Sequence, residues 1–542
     1  MFNRFKIDQL LVFFLLSIVF LLLSFGKELI FGKNNSSLGL QKYFEIENAI
    51  SVPIQSIVNS DDSISVYNPA VKLLYSVNGG QDYFVADQKI VLGEIQNPDL
   101  ISIPTSYHWR QPIGNFDGCK NIVVQLKNTS DNSTSEKKVY TFFTKELTEL
   151  PVIALTLPQD DLFSEQKGLM IFGRNADSDE GFYNAWWNRS ANFTGRGMEW
   201  EKEAFFQYFK EGKLQIEQYC GLRISGNATR GFPQKSMQIV ARKMYGDDHF
   251  DFSFFNNSGQ KKYTSLVIRN SGNDNAKTLF ADLLMHRLAD ESNVLTLKGS
   301  PTVVYINGNY WGIYNLRERV DQYFISKIED VQETEVTILE GGEAELKDGN
   351  KSDKADFDRL ISKLKNVKDV SRELYNEICQ AIDENSFIDY IFFETFFGNN
   401  DWPHNNSMWY KAGEGKWKWI LNDLDYGLAY LGEENVNTNL FDKLKNSNAV
   451  IGVFFTKLYT NAEFEKNFTS RCYDLVTFHL SDKNIQDCYR ELKVIYQTEI
   501  KKHIGRWRMI KSVEEWENNC TENLNFLIQR KNIYLKQISE LE

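Results

Sequence analysis

One stretch of this 542-residue chain, residues 397–427, places polar side chains in two loops that flank a short apolar hairpin pattern. Asp401 and Asn406 lie five residues apart in the first loop, and Asp423 and Asp425 follow the second strand-like run. Large apolar side chains between the two loops should hold this spacing rigid. The stretch therefore predicts a polar site built on two loops that a hairpin connects.

The residue types in these loops are those that phosphoryl transfer uses. An Asp orients the attacking hydroxyl, while an Asn and a second Asp hold Mg²⁺. The spacing resembles the catalytic and metal loops of protein kinases, although no His-Arg pair precedes Asp401. A D-x-D at a strand end can also be a turn or a cap without a metal. Because Asp401 and Asn406 are one hairpin away, we favour a metal role, and the sequence leaves open whether Asp423 or Asp425 fills it.

The overall composition argues against two classes of function. The formal net charge of −12 and the absence of a basic run argue against a nucleic-acid-binding surface. The same charge means that a nucleotide would need local cations or a metal. The six Cys residues form no C-x-x-C pair and the six His residues form no H-x-x-x-H pattern, so a zinc site is not expected.

The N-terminal residues 1–34 contain an apolar run at 10–25 that follows Arg4 and Lys6. A run of about 16 apolar residues is near the short end for a membrane span and long for a signal-peptide core. We favour a retained membrane anchor over a cleaved signal peptide. In either case the positive N-terminus predicts that the rest of the chain lies outside the cytoplasm, membrane-anchored or secreted.

Residues 35–148 carry β-strand patterns and no visible catalytic cluster. Short alternating runs and the turn Asn78-Gly79-Gly80 predict a small antiparallel β-sandwich, of immunoglobulin or fibronectin type. We expect a structural or spacing role for it.

Residues 221–240 show a strand, a polar Gly-containing loop and a second strand. Arg223, Arg230 and Lys235 form a local cationic patch there, which would suit a triphosphate. The loop is not a Walker A motif, since it lacks G-x-x-x-x-G-K-[ST]. Taken alone, this segment is better explained as a hairpin with solvated basic residues.

The turn Asn307-Gly308, flanked by β-rich runs at 302–306 and 310–316, predicts a hairpin. Glu318 follows this hairpin. Its carboxylate would pair either with a phosphate-binding Lys or with a neighbouring surface cation.

The remaining periodicity is mostly helical. A helix is expected at 275–290, helices are expected over 354–397, and the tail at 450–542 has the pattern of packed amphipathic helices. The polar residues 343–356 are expected to form a mobile loop.

Several of these runs, in this order over residues 150–540, resemble the spore-coat protein kinase (CotH) family. The matching runs are LPVIALTLPQDDLF, GLRISGNATRGFPQKSMQIVARK, LVIRNSGND, VVYINGNYWGIYNLRE, NNDWPHNNSMWY and KWKWILNDLDYG. The resemblance implies an α+β fold in which residues 149–542 form an atypical protein-kinase-like domain with a helical C-terminal part. It also implies ATP-dependent phosphorylation of protein Ser or Thr residues with Mg²⁺ or Mn²⁺.

The resemblance assigns the nucleotide-binding half of the site to the upstream segments. Lys235 would contact the nucleotide phosphates, and Arg223 and Arg230 would line the same loop. Glu318 would be the partner of Lys235.

The resemblance assigns the chemical half of the site to the stretch at 397–427. Asp401 would be the catalytic Asp and Asn406 a metal-binding Asn. Asp423 or Asp425 would be the metal-binding Asp, and the D-x-G order favours Asp425 while both are kept.

Three functions remain open from the sequence. The first is an active kinase that acts on a protein partner and takes ATP and a divalent metal. The second is a pseudoenzyme that keeps the fold as a binding or scaffold module. The third is another nucleotide-dependent transferase, such as one that transfers AMP or a glutamyl group.

Overall fold

The computed structural model describes residues 50–51, 59–174, 176, 190–256, 258–430 and 435–541. The anchor predicted over residues 1–34 lies outside these ranges. Within them, every helix is too short or too polar to cross a membrane.

The protein is a mixed α/β structure with a β-rich N-terminal part and a helical C-terminal region. The strands are β1 (Ile50–Ser51), β2 (Ser63–Val66), β3 (Val71–Ser76), β4 (Phe84–Ala86), β5 (Lys89–Val91), β6 (Cys119–Asn128), β7 (Lys138–Phe143), β8 (Val152–Thr156), β9 (Lys202–Lys210), β10 (Lys213–Ile224), β11 (Met237–Val240), β12 (Phe250–Asp251), β13 (Lys262–Tyr263), β14 (Ser265–Arg269), β15 (Gly299–Ile306), β16 (Asn309–Glu318), β17 (Val336–Glu340), β18 (Glu345–Asp348), β19 (Met408–Ala412) and β20 (Lys418–Ile420). The α-helices are α1 (Gln159–Phe163), α2 (Ala281–Leu288), α3 (Gln322–Glu329), α4 (Lys351–Lys365), α5 (Arg372–Ala381), α6 (Glu384–Phe397), α7 (Leu440–Lys445), α8 (Val450–Leu458), α9 (Ala462–Asp474), α10 (Asp482–Gln497), α11 (Ile500–Trp507) and α12 (Val513–Ser539).

The first part of the described chain contains two small antiparallel sheets. One has the order β1-β2-β5 and the other the order β4-β3-β6-β7. Apolar side chains from both sheets share one core, including Ile64 and Ile90 from the first sheet and Leu73, Ile122 and Val124 from the second. The alternation along these strands buries one face of each sheet, which is the packing of a two-layer β structure.

A closed barrel follows, with the strand order β10-β11-β14-β16-β15-β8-β9. Strands β8 and β15 pair in parallel, and the other pairs are antiparallel. The predicted hairpin is confirmed as β15 and β16. Its turn residues Asn307 and Gly308 both have positive φ, 45° and 82°, as a two-residue hairpin turn requires.

The predicted hairpin of the 397–427 stretch is also confirmed, as β19 and β20. Trp409 lies opposite Trp419 in the register of this pair, and both side chains are buried. The two strands continue a four-stranded sheet of order β18-β17-β19-β20. Buried aromatic side chains on the hairpin therefore fix its position against the core.

Helix α6 carries the chain into the first loop of that stretch. Asp383 caps its N-terminus by accepting the Ser386 N–H at 3.0 Å. All of its residues from Ser386 to Phe397 are buried, because the helix is apolar on nearly every face. Gly398 ends it with a φ of +69°, a left-handed conformation that favours glycine.

Two local predictions differ from the structure. The mobile loop expected at 343–356 is wrong, because β18 pairs there with β17 and α4 begins at Lys351. The helix expected from residue 275 begins at Ala281. The Asp274 carboxylate accepts the N–H groups of Thr278 and Ala281, both at 2.9 Å, and so holds a tight turn ahead of the helix.

Candidate active site

Asp425 is the most tightly held residue of the candidate site. It lies in the loop after β20 and is only 3% exposed. Its Oδ2 accepts hydrogen bonds from the Arg269 guanidinium at 2.6 Å and from the Asn273 N–H at 2.9 Å, and its Oδ1 accepts from Asn273 Nδ2 at 2.9 Å. Burial, and then the nearby Asp423 carboxylate, raise the pKa of Asp425 well above its usual value. The ionised carboxylate therefore depends on a cation beside it.

Asp423 shares that cation but lies in a different environment. Its Oδ1 contacts the same Arg269 nitrogen that binds Asp425, while its side chain is 34% exposed. Neither carboxylate lies on a strand. Strand β20 ends at Ile420, and Asp423 has a φ of +54°, so both residues belong to a loop.

Arg269, at the end of β14, contacts both carboxylates of the loop after β20. Burial lowers the pKa of its guanidinium, but the carboxylates around it, Asp423 first among them, raise that pKa above its usual value. Arg269 is thus a permanent cation between two acidic side chains. Because the guanidinium is largely buried, these charge-assisted contacts are stronger than surface ion pairs.

Gly272 allows the backbone to approach Asp425 this closely. It has a φ of +58°, and a Cβ at this position would lie 1.7 Å from Asp425 Oδ2 and 2.6 Å from an Arg269 guanidinium nitrogen. No other residue type fits in that space, so the turn after β14 is part of the site's construction.

Asp282, at the start of α2, holds the backbone of the loop after β20. Its Oδ1 accepts the N–H of Leu424 at 2.9 Å, and its Oδ2 pairs with the Arg317 guanidinium. Burial alone would raise the pKa of Asp282, but the surrounding cations, Arg317 above all, lower it below its usual value. Asp282 is therefore ionised at neutral pH and fixes the residue between the two candidate metal ligands.

The first loop supplies Asp401 and Asn406. Asp401 accepts hydrogen bonds from Asn405 Nδ2 at 2.8 Å and from Asn406 Nδ2 at 3.0 Å, one on each carboxylate oxygen. Asn406, with a φ of +61°, also places its Nδ2 3.4 Å from the Asp423 carbonyl oxygen. The structure thus brings together the four residues that the sequence predicted in this stretch, with Asn406 joining the two loops.

The buried carboxyl group of Glu394 is linked to the same Asp423 carbonyl through Asn399. Asn399 Nδ2 donates to Glu394 Oε2 at 2.9 Å and lies 3.4 Å from the Asp423 carbonyl oxygen. Burial, and after it the nearby Asp423 and Asp401 carboxylates, raise the pKa of Glu394 well above its usual value, while the bond from Asn399 lowers it. Burial therefore favours the neutral form of this side chain.

The basic loop at 225–236 does not present the open cationic patch that the sequence predicted. Lys235 is 0% exposed, and its Nζ donates to the carbonyls of Arg230 at 2.8 Å and Phe232 at 3.2 Å. Its ammonium also lies 3.9 Å from the centre of the Phe193 ring. Burial lowers the pKa of Lys235 well below its usual value. These contacts show that Lys235 stabilises its own loop, and its role as a phosphate contact stays a prediction.

The two arginines of this segment are also engaged within the protein. Arg230 donates to the carbonyls of Gly226 at 2.7 Å and Gly195 at 2.9 Å, and burial lowers its pKa to about 10. Arg223 donates to Gln238 Oε1 at 3.0 Å on the neighbouring strand. Neither has a contact to the residues of the 397–427 stretch among those described.

Glu318 does not pair with Lys235, so that prediction is wrong. The Glu318 carboxylate accepts the backbone N–H of Lys298 at 2.8 Å. Glu318 lies opposite Leu266 on β14, whereas Lys235 precedes Met237, which lies opposite Ile268. The register therefore holds the two side chains apart along the barrel. Burial raises the pKa of Glu318 to about 7.

Sequence reasoning missed Arg269, Asn273 and Asp282. Arg269 ends an apolar strand and directly precedes the polar run Asn270-Ser271-Gly272-Asn273. The sequence signal for this role was an arginine at the end of a strand, directly before a Gly-containing turn. Such turns present backbone N–H groups to acidic side chains.

The donor set is compatible with a magnesium ion. Mg²⁺ in nucleotide sites is held by one or two carboxylates together with substrate phosphates. Asp423 and Asp425 converge on one position that the Arg269 guanidinium occupies as a cation, and Asn406 lies beside them. Within the described residues, His, Cys, Asp and Glu form no cluster of three or more that could hold a metal. The fit is thus to a two-carboxylate site and not to an all-protein metal cage.

A separate cavity of about 550 Å³ is lined in part by Leu283, His286 and Arg287 of α2. It touches neither Asp401 nor Asp425. We locate the candidate site by its positioned charges, because phosphoryl transfer depends on charge placement more than on an enclosed volume.

The fold and the site define a mixed α/β protein in which two loops bring carboxylates and asparagine amides together. Residues 222–534 match the family model described as CotH kinase protein. The match covers more than half of the chain, so the protein belongs to the CotH kinase family, as its sequence motifs predicted. Membership suggests a kinase-like phosphotransferase. A search of curated proteins found no match to this chain.

Gly272→Ala tests the close approach of the turn to Asp425. A positive φ costs an alanine about 1 kcal/mol, and the steric clash adds about 1–3 kcal/mol. Gly259→Ala is the matched control, because Gly259 has a φ of +67° and open space around its Cβ position. Denaturant unfolding of the full chain should show a larger loss for Gly272→Ala. Equal losses for the two variants would contradict the packing described here.

Glu318→Gln tests the buried carboxyl group through the pH dependence of stability. The pKa of Glu318 is about 7 in the folded protein, whereas an ordinary glutamate has a pKa of about 4.5, so folding favours the protonated form. The protonated carboxyl therefore contributes to the free energy of unfolding. This contribution is complete below about pH 4.5 and is lost as the pH rises through about 7, a change of about 3 kcal/mol. The amide still accepts the Lys298 N–H, so Glu318→Gln should be more stable than the native protein above pH 7.

Urea unfolding at several pH values measures this difference. Glu345→Gln, at an exposed position of β18, serves as the control and should leave the pH profile unchanged. If the free energy of unfolding of Glu318→Gln depends on pH in the same way as that of the native protein, the raised pKa of Glu318 is contradicted.

Proposed function

We propose that this protein is an ATP- and metal-dependent protein Ser/Thr kinase of the CotH type, with an atypical kinase-like domain over residues 149–542. The observation that carries the proposal is the junction at the Asp423 carbonyl. There the loop of Asp401 and Asn406 meets the loop of Asp423 and Asp425. This arrangement unites a hydroxyl-orienting carboxylate with a carboxylate pair for a cation.

Asp401 is suited to orient the acceptor hydroxyl. Two asparagine amides fix its carboxylate, and the residue is partly exposed, so an acceptor side chain can reach it. A carboxylate placed in this way can accept a hydrogen bond, and then the proton, from a Ser or Thr hydroxyl. Its contribution is mainly that of positioning.

Asp425 and Asp423 would hold the metal, with Asn406 as a further ligand. Asp425 is buried and oriented by Asn273, while Asp423 is partly open to solvent. We therefore assign Asp425 as the principal ligand. When bound, Mg²⁺ or Mn²⁺ neutralises charge on the nucleotide phosphates.

Arg269 takes the phosphate-contacting role that the sequence predicted for Lys235. It is the cation that the structure places at the carboxylate pair, and a planar guanidinium is well matched to phosphate oxygens. Arg223, Arg230, Lys235 and Glu318 support the barrel and its loop in this proposal.

The test is transfer of radiolabel from ATP to a Ser-rich acceptor by the full chain with Mg²⁺ or Mn²⁺. We expect γ-phosphate transfer by the native protein. Asp401→Asn should lower the transfer rate by about 10²–10⁴-fold and preserve nucleotide binding. Asp425→Asn should lose both phosphate transfer and nucleotide binding. Asp423→Asn should weaken metal affinity, but less than Asp425→Asn does. Asp369→Asn, at an exposed position in the loop before α5, is the matched control and should leave both unchanged.

Each contrary result has a definite meaning. Incorporation of label from α-labelled ATP would support AMP transfer in place of kinase activity. Metal-dependent nucleotide binding without transfer would support a scaffold function. Failure to bind nucleotide with excess metal would contradict both enzymatic functions.

We also propose that residues 1–34 anchor the protein in a membrane or direct its export, so that the acceptor protein is met outside the cytoplasm. The apolar run at 10–25 after two basic residues supports this placement. Protease added to intact cells should digest the main body of the chain, and a lysed sample gives the reference. Complete protection in intact cells would contradict it.

A further inference from the structure

Arg506 in α11 has an unusual environment for a charged side chain. It is 0% exposed, and none of its three guanidinium nitrogens has a hydrogen-bond partner among the described residues. Its guanidinium lies beside two indoles, 3.8 Å from the ring centre of Trp507 and 4.6 Å from that of Trp311. The guanidinium therefore makes cation–π contacts, while its N–H groups are unpaired.

Arg530 in α12 shows how a buried arginine is otherwise accommodated in this protein. It is equally buried, and its nitrogens donate to the carbonyls of Phe396 at 3.1 Å, Val436 at 2.6 Å and Thr395 at 3.0 Å. A buried donor that lacks an acceptor is costly, and more so when it carries charge. The missing acceptors at Arg506 therefore call for an explanation.

Two further polar groups of β16, Trp311 Nε1 and the Tyr314 hydroxyl, belong to the same buried place. The Tyr314 side chain hydrogen-bonds to the side chains of Trp311 and Gln234 and acts electrostatically on Arg506. The unpaired donors here are therefore the three guanidinium nitrogens of Arg506. Arg side chains are donors only, so whatever satisfies this group must be an acceptor.

The protein does not supply a carboxylate to these donors within its described parts. Asp99 is the carboxylate that acts electrostatically on Arg506. Its oxygens accept instead from the Ser102 hydroxyl at 2.6 Å and from the Ile101 N–H at 3.1 Å. Burial lowers the pKa of Arg506 to about 9, so the side chain remains a cation at pH 7.

The segment that precedes β6 covers α11 next to Arg506. The N–H of Ile113 donates to the Gly505 carbonyl at 2.9 Å, and a Cβ on Gly505 would lie 2.4 Å from the Ile113 carbonyl oxygen. This segment packs directly on α11. A ligand at Arg506 must therefore be small.

We propose that the Arg506 guanidinium, beside Trp311 and Tyr314, forms an internal binding site for a small monovalent inorganic anion, for which chloride is the probe. The anion accepts the unpaired N–H groups of Arg506 and neutralises the buried charge. It thereby fastens α11 to β16 of the barrel, independently of the proposed kinase activity.

The test is thermal unfolding of the full chain as sodium chloride replaces sodium gluconate at constant ionic strength. Because a ligand of the folded state stabilises it by mass action, the midpoint should rise by roughly 2–4 °C with chloride. Arg506→Met should lose this dependence and, without chloride, be at least as stable as the native protein, since an apolar side chain needs no partner there. Arg530→Met is the matched control. It should be less stable in both salts and keep the chloride dependence.

Crystals grown with sodium bromide give a second measurement that does not depend on a variant. An anomalous bromide peak is expected within hydrogen-bond distance of the Arg506 guanidinium. A midpoint that is independent of the anion, or a bromide-containing crystal with only water at the guanidinium, would overturn the proposal.

Discussion

The candidate site depends on one interaction, the contact of the Arg269 guanidinium with both Asp423 and Asp425. Two carboxylates brought together in a buried place repel each other, and one of them would otherwise take up a proton. The shared cation offsets part of this repulsion, since Arg269 lowers the pKa of Asp425 against the effects of burial and Asp423. Removing one partner of such a buried network leaves an uncompensated charge, which typically costs about 3–5 kcal/mol.

The residues around Arg269, Asp423 and Asp425 allow these three side chains to lie in contact. Gly272 leaves room where any Cβ would meet Asp425. Asn273 saturates the buried carboxylate with two hydrogen bonds, and Asp282 fixes the backbone of Leu424. The barrel thus provides the cation and the turn, whereas the small sheet that contains β20 provides the carboxylates. A site of this kind exists only when the two parts are packed together.

The elements predicted correctly are those that local sequence determines. The Asn307-Gly308 turn defines its hairpin, because few residues tolerate two successive positive φ angles. The hairpin at β19 and β20 and the helix α6 follow from dense apolar patterns. Residues 343–356 were predicted as a loop because they are polar, yet pairing with β17 orders them as an edge strand, which composition does not reveal.

The amino-acid sequence was enough to predict the membership of the CotH kinase family and the grouping of Asp401, Asn406, Asp423 and Asp425, since these residues are close along the chain. The cation that contacts these carboxylates became known from the folded chain alone. Lys235 had the expected residue type, but its ammonium is covered by the carbonyls of its own loop. Arg269 reaches the carboxylates because β14 ends beside the loop after β20. The contacts of Arg269 join segments more than one hundred residues apart, and local sequence patterns do not carry that information.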